Sequence, residues 1–572
     1  MDDASRKRYP HCADAFDYVD GILGGYIPAC KWVKLACQRH VDDLKRSDDG
    51  WLYYFDFFAA ERVIRFIELL PHTKGKWARK RELIKLQPWQ KFNVASIFGW
   101  KVCTTGLRRF REVYDEIPRK NGKSILASGI GNYMFCADGE FGAEVYSGAT
   151  TEKQAWEVFR PAKQMVQRTS ELQEYFGIEV NAKNMVIIDD ESRFEPVIGK
   201  PGDGASPSCA IIDEYHEHDT DDLLDTMVTG MDAREQPLAF IITTAGSNLA
   251  GPCYSKRQYL QKVLEKTIQD ERIFGTIYTT DEDDDWTDPD VVKKANPNYG
   301  VSIIEDNILA ALTTATQSSR LQNTFKTKRL NIWCGAKNAW LNMQDWAKSP
   351  QQKTLDELRG RPCFIGLDLA SKIDVAAKVN VFPPVEDDPV WHVHCRFYLP
   401  EEKVEDGGPN ASHYLAWAKL GYITLTPGGV IDFDYIEDDL KDDGSMFQVE
   451  EVPYDPWQAT QLATHMLAEG VPMVELPATV KNFSEGMKEI EALLKVKKGE
   501  KTHMIAHGDN PVLTWMASNV TAKEDKKENI YPNKELPENK IDGMVAMIMA
   551  VGRAIVHMGD TSVYENRGIS IW

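Results

Sequence analysis

The sequence predicts an α/β protein of two units, each built on its own sheet. Three observations carry this. Between Leu83 and Gly246, short apolar or β-branched runs alternate with helical stretches, the pattern of a parallel sheet with helices on its faces. One of these runs leads into Gly122-Lys123-Ser124, and another ends in Asp213-Glu214. A second α/β pattern begins at "CFIGLDLA" (363–370) and continues to the end of the chain. At 572 residues the chain is too long for one hydrophobic core, so two large domains with appendages is the economical arrangement.

Taken in order, residues 1–75 form a helical appendage, because apolar and aromatic positions in "WLYYFDFFAAERVIRFIELL" recur at the spacing of a buried helix face. Residues 76–269 hold the first sheet, with strands expected at "FREVYDEI", "AEVYSGA", "MVIIDD", "SCAIIDEY" and "LAFIITTAG". Residues 270–350 open acidic, pass "ANPNYG" as a turn and continue helically, which marks a lid or connector ending near Lys348–Lys353. Residues 351–572 are the second unit.

The totals exclude several classes. With 87 acidic against 67 basic residues, the net charge of −20 argues against a protein that coats nucleic acid by bulk attraction, while leaving room for a local basic groove. Runs such as "DEDDDWTDPD" (281–290) and Asp432, Asp434, Glu437, Asp438 and Asp439 are expected to be solvated surface. The ten cysteines form no C-x-x-C pair and no zinc spacing, which fits a reducing cytosol. No apolar run approaches the ~20 residues of a membrane span, and the start lacks the apolar centre of a signal peptide. The expectation is a soluble protein with no membrane partner.

The first chemical constellation is "EIPRKNGKSILASG" (116–129). It resembles a phosphate-binding loop in which Ile117 stands where the usual pattern has glycine. Placed between a strand and a helix, its backbone N–H groups and the helix N-terminus would face an anion. Lys123 would reach the β/γ-phosphates of ATP, Ser124 would ligate Mg²⁺, and Gly122 would let the backbone approach closely. Gly-Lys-Ser alone occurs by chance. The second witness is Asp213, at the carboxyl end of a strand, where it can hold Mg²⁺ while Glu214 orients or deprotonates the attacking water. Thr243 and Thr244, at the end of a third strand, are placed to sense the γ-phosphate. Gln90 either offers its amide to an adenine edge or belongs to the first turn of a helix opened by Pro88.

The second constellation is three separated aspartates, each at an element end: Asp368 after "FIGL", Asp455 after "VEEVPY", and Asp542 before "GMVAMIMAVGRAIV". Singly, each reads as a cap or turn residue. As a set they form the arrangement that holds two Mg²⁺ or Mn²⁺ ions for phosphodiester hydrolysis. Asp374 is either a fourth ligand or a turn residue. Lysines in "LLKVKKGEK" (493–501), expected as strand and turn, and in "NVTAKEDKKENIYPNK" (519–534) either follow a DNA backbone or keep a surface loop soluble.

Together these residues resemble a known family, the large subunit of the double-stranded DNA bacteriophage terminase. The resemblance runs in order through "YFDFFAAERVIRFIELLPHTKG", "LQPWQKFNVASIFGW", "PRKNGKS", "SGATTEKQAW", "IIDEYHEH", "TTAG", "NPNYG", "LNIW", "GLDLASKIDVAA", "YDPWQA" and "KIDGMVAMIMA". It implies an additional-strand, RecA-like ATPase followed by an RNase H-like nuclease. By residue it implies Lys123 and Ser124 on the phosphates and Mg²⁺, Asp213 on the metal, Glu214 as catalytic carboxylate, and Thr243-Thr244 coupling hydrolysis to movement. Asp368, Asp455 and Asp542 would be the nuclease ligands, with aspartate at 455 a mild departure because the family sometimes has glutamate there. Such motors use a degenerate phosphate loop with a basic residue, a position that Arg119 fits. An arginine finger is expected, with Arg160 and Arg234 as candidates. The implied partners are double-stranded DNA, the portal protein of the procapsid, the small terminase subunit and further copies in a pentameric ring. The implied location is the bacterial host cytoplasm, transiently at the portal vertex. The alternatives are a helicase-nuclease, which needs helicase motifs after residue 250 that the sequence lacks, and an RNase H-fold resolvase or transposase with a regulatory nucleotide domain.

Overall fold

The computed structural model describes the chain apart from residues 199–203, 250, 336–339, 370–372, 406–409, 458, 496–499, 526, 535 and 561–572, and describes 319, 320, 344, 412, 559 and 560 without their side chains. It divides into two compact units, Met1–Cys334 and Gly335–Trp572.

The first unit centres on an eight-stranded sheet in the order Ile273–Ile277, Glu112–Glu116, Leu238–Thr243, Cys209–Asp213, Glu144–Ala149, Ser192–Ile198, Met185–Ile187 and Ile178–Val180. The first six run parallel and the last two antiparallel. Every residue of Cys209–Asp213 and Leu238–Thr243 is buried, as expected of strands covered on both faces. The pairing sets Glu116 opposite Thr243 and Asp213 opposite Ile242, so three strand ends share one edge of the sheet. That edge is where ligands meet parallel sheets.

Three expectations change here. The run from Trp51 is not one helix: Tyr53–Phe55 is a strand paired with Trp100–Val102, and the helix Phe57–Glu68 begins only where Asp56 accepts from Ala59 N. "MVIIDD" supplies an antiparallel strand, not a parallel one. The helical segment is narrower than 270–350. Ile273–Ile277 belongs to the main sheet, and residues from Gly335 on belong to the second unit, where Trp340 and Trp346 enter its core. What lies between has its own small core of Trp286, Val292, Ile303, Leu312, Phe325 and Leu330.

The second unit is a seven-stranded mixed sheet in the order Thr424–Thr426, Trp391–Pro400, Ala376–Phe382, Pro362–Asp368, Gln448–Tyr454 and Met473–Glu475, with Ile505–Ala506 also pairing Trp391–Pro400. The helix Asp542–Asp560 lies against it so closely that a Cβ on Gly366 would fall 1.8 Å from Ala546 O. Glycine is required there for the approach of two backbones. Val520–Glu524 and Ile530–Lys534 form a separate antiparallel hairpin. "LLKVKKGEK" does not open as a strand: Leu493 ends the helix Val480–Leu493, and residues 496–499 lie outside the described residues. The hairpin carries exposed lysines at 523, 527 and 534.

Candidate active sites

At the shared edge of the first sheet, the strand Glu112–Glu116 gives way to a loop that turns twice through left-handed backbone, at Lys120 (φ 74°) and Gly122 (φ 87°), before the helix Lys123–Cys136. Ile117 is fully buried and donates its N–H to Thr243 O at 3.0 Å. It continues the strand, so the glycine of the usual pattern is not needed at this point. Lys123 is 6% exposed, with Nζ 3.2 Å from Glu214 Oε1 yet out of line for a hydrogen bond. Ser124 is the second residue of the helix.

Asp213 is buried and accepts from Glu214 N at 2.8 Å. Burial raises its pKa well above the carboxylate range, Glu214 adds to the rise and Lys123 opposes it. Glu214 has the opposite balance. Burial alone would raise it, but Lys123, His216 and Arg119 outweigh burial and hold it below its ordinary value. Glu214 also sits at φ 49°, a conformation that costs a non-glycine residue about 1–2 kcal/mol.

Thr243 and Thr244 are fully buried. Both reach His216, whose Nδ1 lies 3.1 Å from Thr243 Oγ1 and 3.4 Å from Thr244 Oγ1. The same nitrogen lies 3.2 Å from Glu214 Oε2. His216 thus stands between the strand-end threonines and the carboxylate. Sequence reasoning missed it, although its position two residues after Glu214 was the available signal.

Arg119 Nε, Lys123 Nζ and Glu214 Oε2 are all buried and without a hydrogen-bond partner. Lys123 Nζ and Glu214 Oε2 keep ion-pair contacts, to Glu214 Oε1 and to His216 Nδ1, and Arg119 Nε has none; two cations with buried nitrogens at the strand-to-helix turn, with Glu214 at another strand end, suit an anionic ligand with its counter-ion. Gln90 lies in the first turn of the helix opened by Pro88, where its Oε1 accepts from Gln87 N in a capping box, and its Nε2 would lie 3.4 Å from a Cβ on Gly122. The two arginine-finger candidates are not at this edge. Arg234 donates to Ser206 O, Gly142 O and Glu140, where strands begin, and Arg160 is exposed with its guanidinium over Trp156.

In the second unit, Asp368 ends its strand and Asp455 follows the parallel neighbour, with Leu367 opposite Tyr454. The register therefore presents the two aspartates side by side. Asp455 Oδ1 accepts from Trp457 N at 2.9 Å, a turn that fixes the carboxylate and leaves the indole 76% exposed. The Tyr531 hydroxyl, on the hairpin, has its pKa raised by burial and by the charges of Asp455 and Asp368.

Asp542 opens the helix Asp542–Asp560, is 8% exposed, and has a buried Oδ2 with no partner. Burial raises its pKa to about 6, Asp374 adds to the rise, and Lys540 and Lys534 oppose it. Asp374 is bound to Lys540 and accepts from Val375 N. The structure thus gives two groupings, Asp368 with Asp455 and Asp542 with Asp374 and Lys540. Among the described residues no three acidic, histidine or cysteine side chains stand close enough to hold an ion, so the expected three-aspartate sphere is not assembled here. The donor chemistry still fits a hard divalent cation: all-oxygen ligands, one of them an unpartnered buried carboxylate oxygen. Lys540 was missed by sequence reasoning, although it lies two residues before Asp542.

Among the described residues no helix is long and apolar enough to cross a membrane.

Comparison with known proteins identifies the two enzymatic domains of the chain. The family model for the terminase large subunit ATPase domain matches residues 88–262, and that for its endonuclease domain matches residues 267–558. Protein YmfN of Escherichia coli K12 is 40% identical over 377 residues, covering 64% of this chain and 82% of the relative. The large subunit of the terminase of Enterobacteria phage HK97 is 27% identical over 507 residues, covering 86% of this chain and 95% of the relative. The crystal structure of the HK97 large terminase matches at 25% identity with a TM-score of 0.43, over 86% of this chain and 99% of that one. A RecA-like ATPase unit followed by an RNase H-like nuclease unit, in one chain, leaves the helicase and resolvase readings without support. The chain belongs to the terminase large-subunit family, ATP-driven DNA-packaging motors that also carry an endonuclease.

Proposed function

We propose that this chain hydrolyses ATP at the Gly122–Ser124 loop to drive double-stranded DNA into a procapsid, and cuts concatemeric DNA with the aspartates of its carboxy-terminal unit. The observation that carries the ATP reading is the pair of cations at the turn from strand to helix, Arg119, whose buried Nε has no hydrogen-bond partner, and Lys123, whose buried Nζ has only its ion-pair contact to Glu214. Lys123 and Arg119 take the phosphate charge, Ser124 and Asp213 are the metal-side ligands, and the amide of Gln90 faces the base. Glu214 accepts the proton of the attacking water or orients it, and Thr243 and Thr244 report the γ-phosphate to the sheet through His216. In the nuclease unit Asp368, Asp455 and Asp542 are the metal-binding set, and Asp374 is either a further ligand or a turn residue held by Lys540 and Val375 N. Magnesium, or manganese in the nuclease, supplies charge neutralisation and an activated water when bound. An arginine finger comes from a neighbouring copy in a ring, pentameric by resemblance to the family. The portal protein and the small terminase subunit are the remaining partners, in the host cytoplasm.

The test is a pair of separations in the full chain. Lys123→Ala abolishes ATP hydrolysis while metal-dependent DNA cleavage persists, and Asp368→Ala does the reverse. Loss of both activities in a folded Lys123→Ala protein overturns the two-site reading. Retained cutting by Asp368→Ala rejects the metal assignment. Stimulation of ATP turnover by duplex DNA with the portal vertex of an empty capsid separates a packaging motor from a resolvase.

A further inference from the structure

The turn "NPNYG", far along the chain from the phosphate loop, is bound to it by buried asparagines. Asn121, Asn296 and Asn298 are 0%, 1% and 5% exposed. Asn121 Nδ2 donates to Asn296 Oδ1 at 2.9 Å and to Pro118 O at 3.0 Å, while its Oδ1 accepts from Asn298 N at 3.0 Å. Asn298 Nδ2 donates to Asn121 O at 2.9 Å and to Ser302 Oγ at 3.1 Å, and its Oδ1 accepts from Trp89 Nε1 at 2.7 Å. Ser302 Oγ in turn donates to Lys120 O at 2.6 Å. Two of these bonds fix the amide orientations, because Asn298 N and Trp89 Nε1 can only donate. Asn296 Nδ2 is tied to Val292 O and Arg329 O, and Arg119 N donates to Lys328 O, so the helices Pro289–Ala295 and Ser319–Arg329 are part of the same network.

We propose that Asn298, acting through Asn121, is a positioning residue of the ATPase that holds the phosphate loop in its nucleotide-receiving form. The inference rests on the reading of residues 117–124 as the nucleotide loop. The geometry gives the reason. Pro118, Lys120 and Asn121 all point carbonyl oxygens at this brace, so the loop turns its carbonyls away from the side where an anion must meet N–H donors. Lys120 and Gly122 both adopt left-handed backbone, which is strained for Lys120 because of its Cβ. Asn121, between them, is the residue the brace grips on both its side chain and its carbonyl. Asn298 Nδ2 would lie 3.4 Å from a Cβ on Gly122, so the amide also stands directly behind the loop's glycine. A surface turn would need none of these contacts.

The experiment measures nucleotide affinity, with a fluorescent ADP analogue, on full-length protein carrying Asn298→Ala, Asn121→Ala, both together, or Ser302→Ala. Asn298→Ala weakens binding about tenfold, the loss of one buried hydrogen-bonded anchor. The double variant binds little worse than either single one, because both act through one clamp. Ser302→Ala, which removes the bond to Lys120 O and one of the two acceptors of Asn298 Nδ2 while leaving the Asn121–Asn298 bonds in place, weakens binding about threefold and keeps the idea testable should the buried variants fail to fold. DNA cleavage without ATP stays at the wild-type level throughout. Wild-type affinity in folded Asn298→Ala or in Ser302→Ala, or fully additive losses in the double variant, overturns the proposal. Lys123→Ala is the control: if it too keeps wild-type affinity, the nucleotide-loop reading has failed, whereas if it loses affinity and the clamp variants do not, only the clamp has.

Discussion

Gly366→Ala is the sharpest available perturbation of how the nuclease unit is put together. Gly366 lies two residues before Asp368, on the strand covered by the helix Asp542–Asp560. An added Cβ falls 1.8 Å from Ala546 O and 2.6 Å from its carbonyl carbon, whereas real Cβ atoms essentially never come within 3.0 Å. Strand and helix must part by at least about 1.2 Å, since the obstacle is backbone and cannot swing aside. The helix has little room to retreat, because on another side a Cβ on Gly486 would already lie 2.5 Å from Ile548 O. Ala546 is about one helical turn beyond Asp542, so the displacement reaches that carboxylate nearly undiminished. Over-packing costs about 1–3 kcal/mol, and a shift of about 1 Å at a reacting group costs on the order of 10²-fold in rate. We expect cleavage of duplex DNA by the full chain to fall about a hundredfold, the nuclease unfolding transition to move down, and ATP turnover to stay unchanged. Wild-type cleavage with an unmoved transition would falsify the argument that this close approach sets the position of Asp542.

Two further outcomes are expected. Gly122→Ala forces a side chain into φ 87° at the phosphate loop and should weaken nucleotide binding about tenfold with cleavage retained; equal affinity in a titration rules out a left-handed requirement there. Asp115 is fully buried, accepts from Thr276 Oγ1 and Asn93 Nδ2, and burial raises its pKa to about 6. Because an acid with a raised folded pKa is neutral and harmless below its unfolded value, its penalty grows as pH rises from about 4 to about 6, reaching roughly 3 kcal/mol. Asp115→Asn should therefore gain stability relative to the wild type on going from pH 4 to pH 7.5 in denaturant unfolding, with the unpartnered Asn93 Oδ1 free to receive the new amide; parallel curves at the two pH values would count against it.

The parts of the fold legible in the sequence were those where burial forces a continuous apolar run. Cys209–Asp213 and Leu238–Thr243 are buried throughout, and both were readable with the polar residues at their ends. Where aromatic residues served a half-exposed strand, as at Tyr53–Phe55, helical spacing was the stronger but wrong signal. Ile273–Ile277 was hidden by the acidic run that follows it, and pairing direction at Met185–Ile187 carried no local mark at all. In the candidate sites, strand-end carboxylates could be found because their position is a backbone fact. The asparagine brace could not, since Asn121 and Asn298 are separated by 177 residues and nothing in either segment names the other.

Net charge is a property of the whole chain and says little about any one site. A chain at −20 is repelled by nucleic acid on average, yet its chemistry lies where the average fails. At the strand-end edge of the first sheet Lys123 and Arg119 face Asp213 and Glu214 in a buried setting, where opposing charges shift each other's protonation and water screens them little. In the nuclease unit Lys540 and Lys534 oppose the carboxylates around Asp542, and the hairpin whose Tyr531 senses Asp455 and Asp368 carries the exposed lysines 523, 527 and 534. An exposed lysine interacts over about one Debye length, roughly 8 Å in physiological salt, so acidic surface farther away than that hardly offsets it at a phosphate in contact. The composition therefore excludes a protein that holds DNA through its whole surface, and is compatible with one that meets DNA through individual exposed lysines, such as those the hairpin carries alongside Glu524, Asp525 and Glu528.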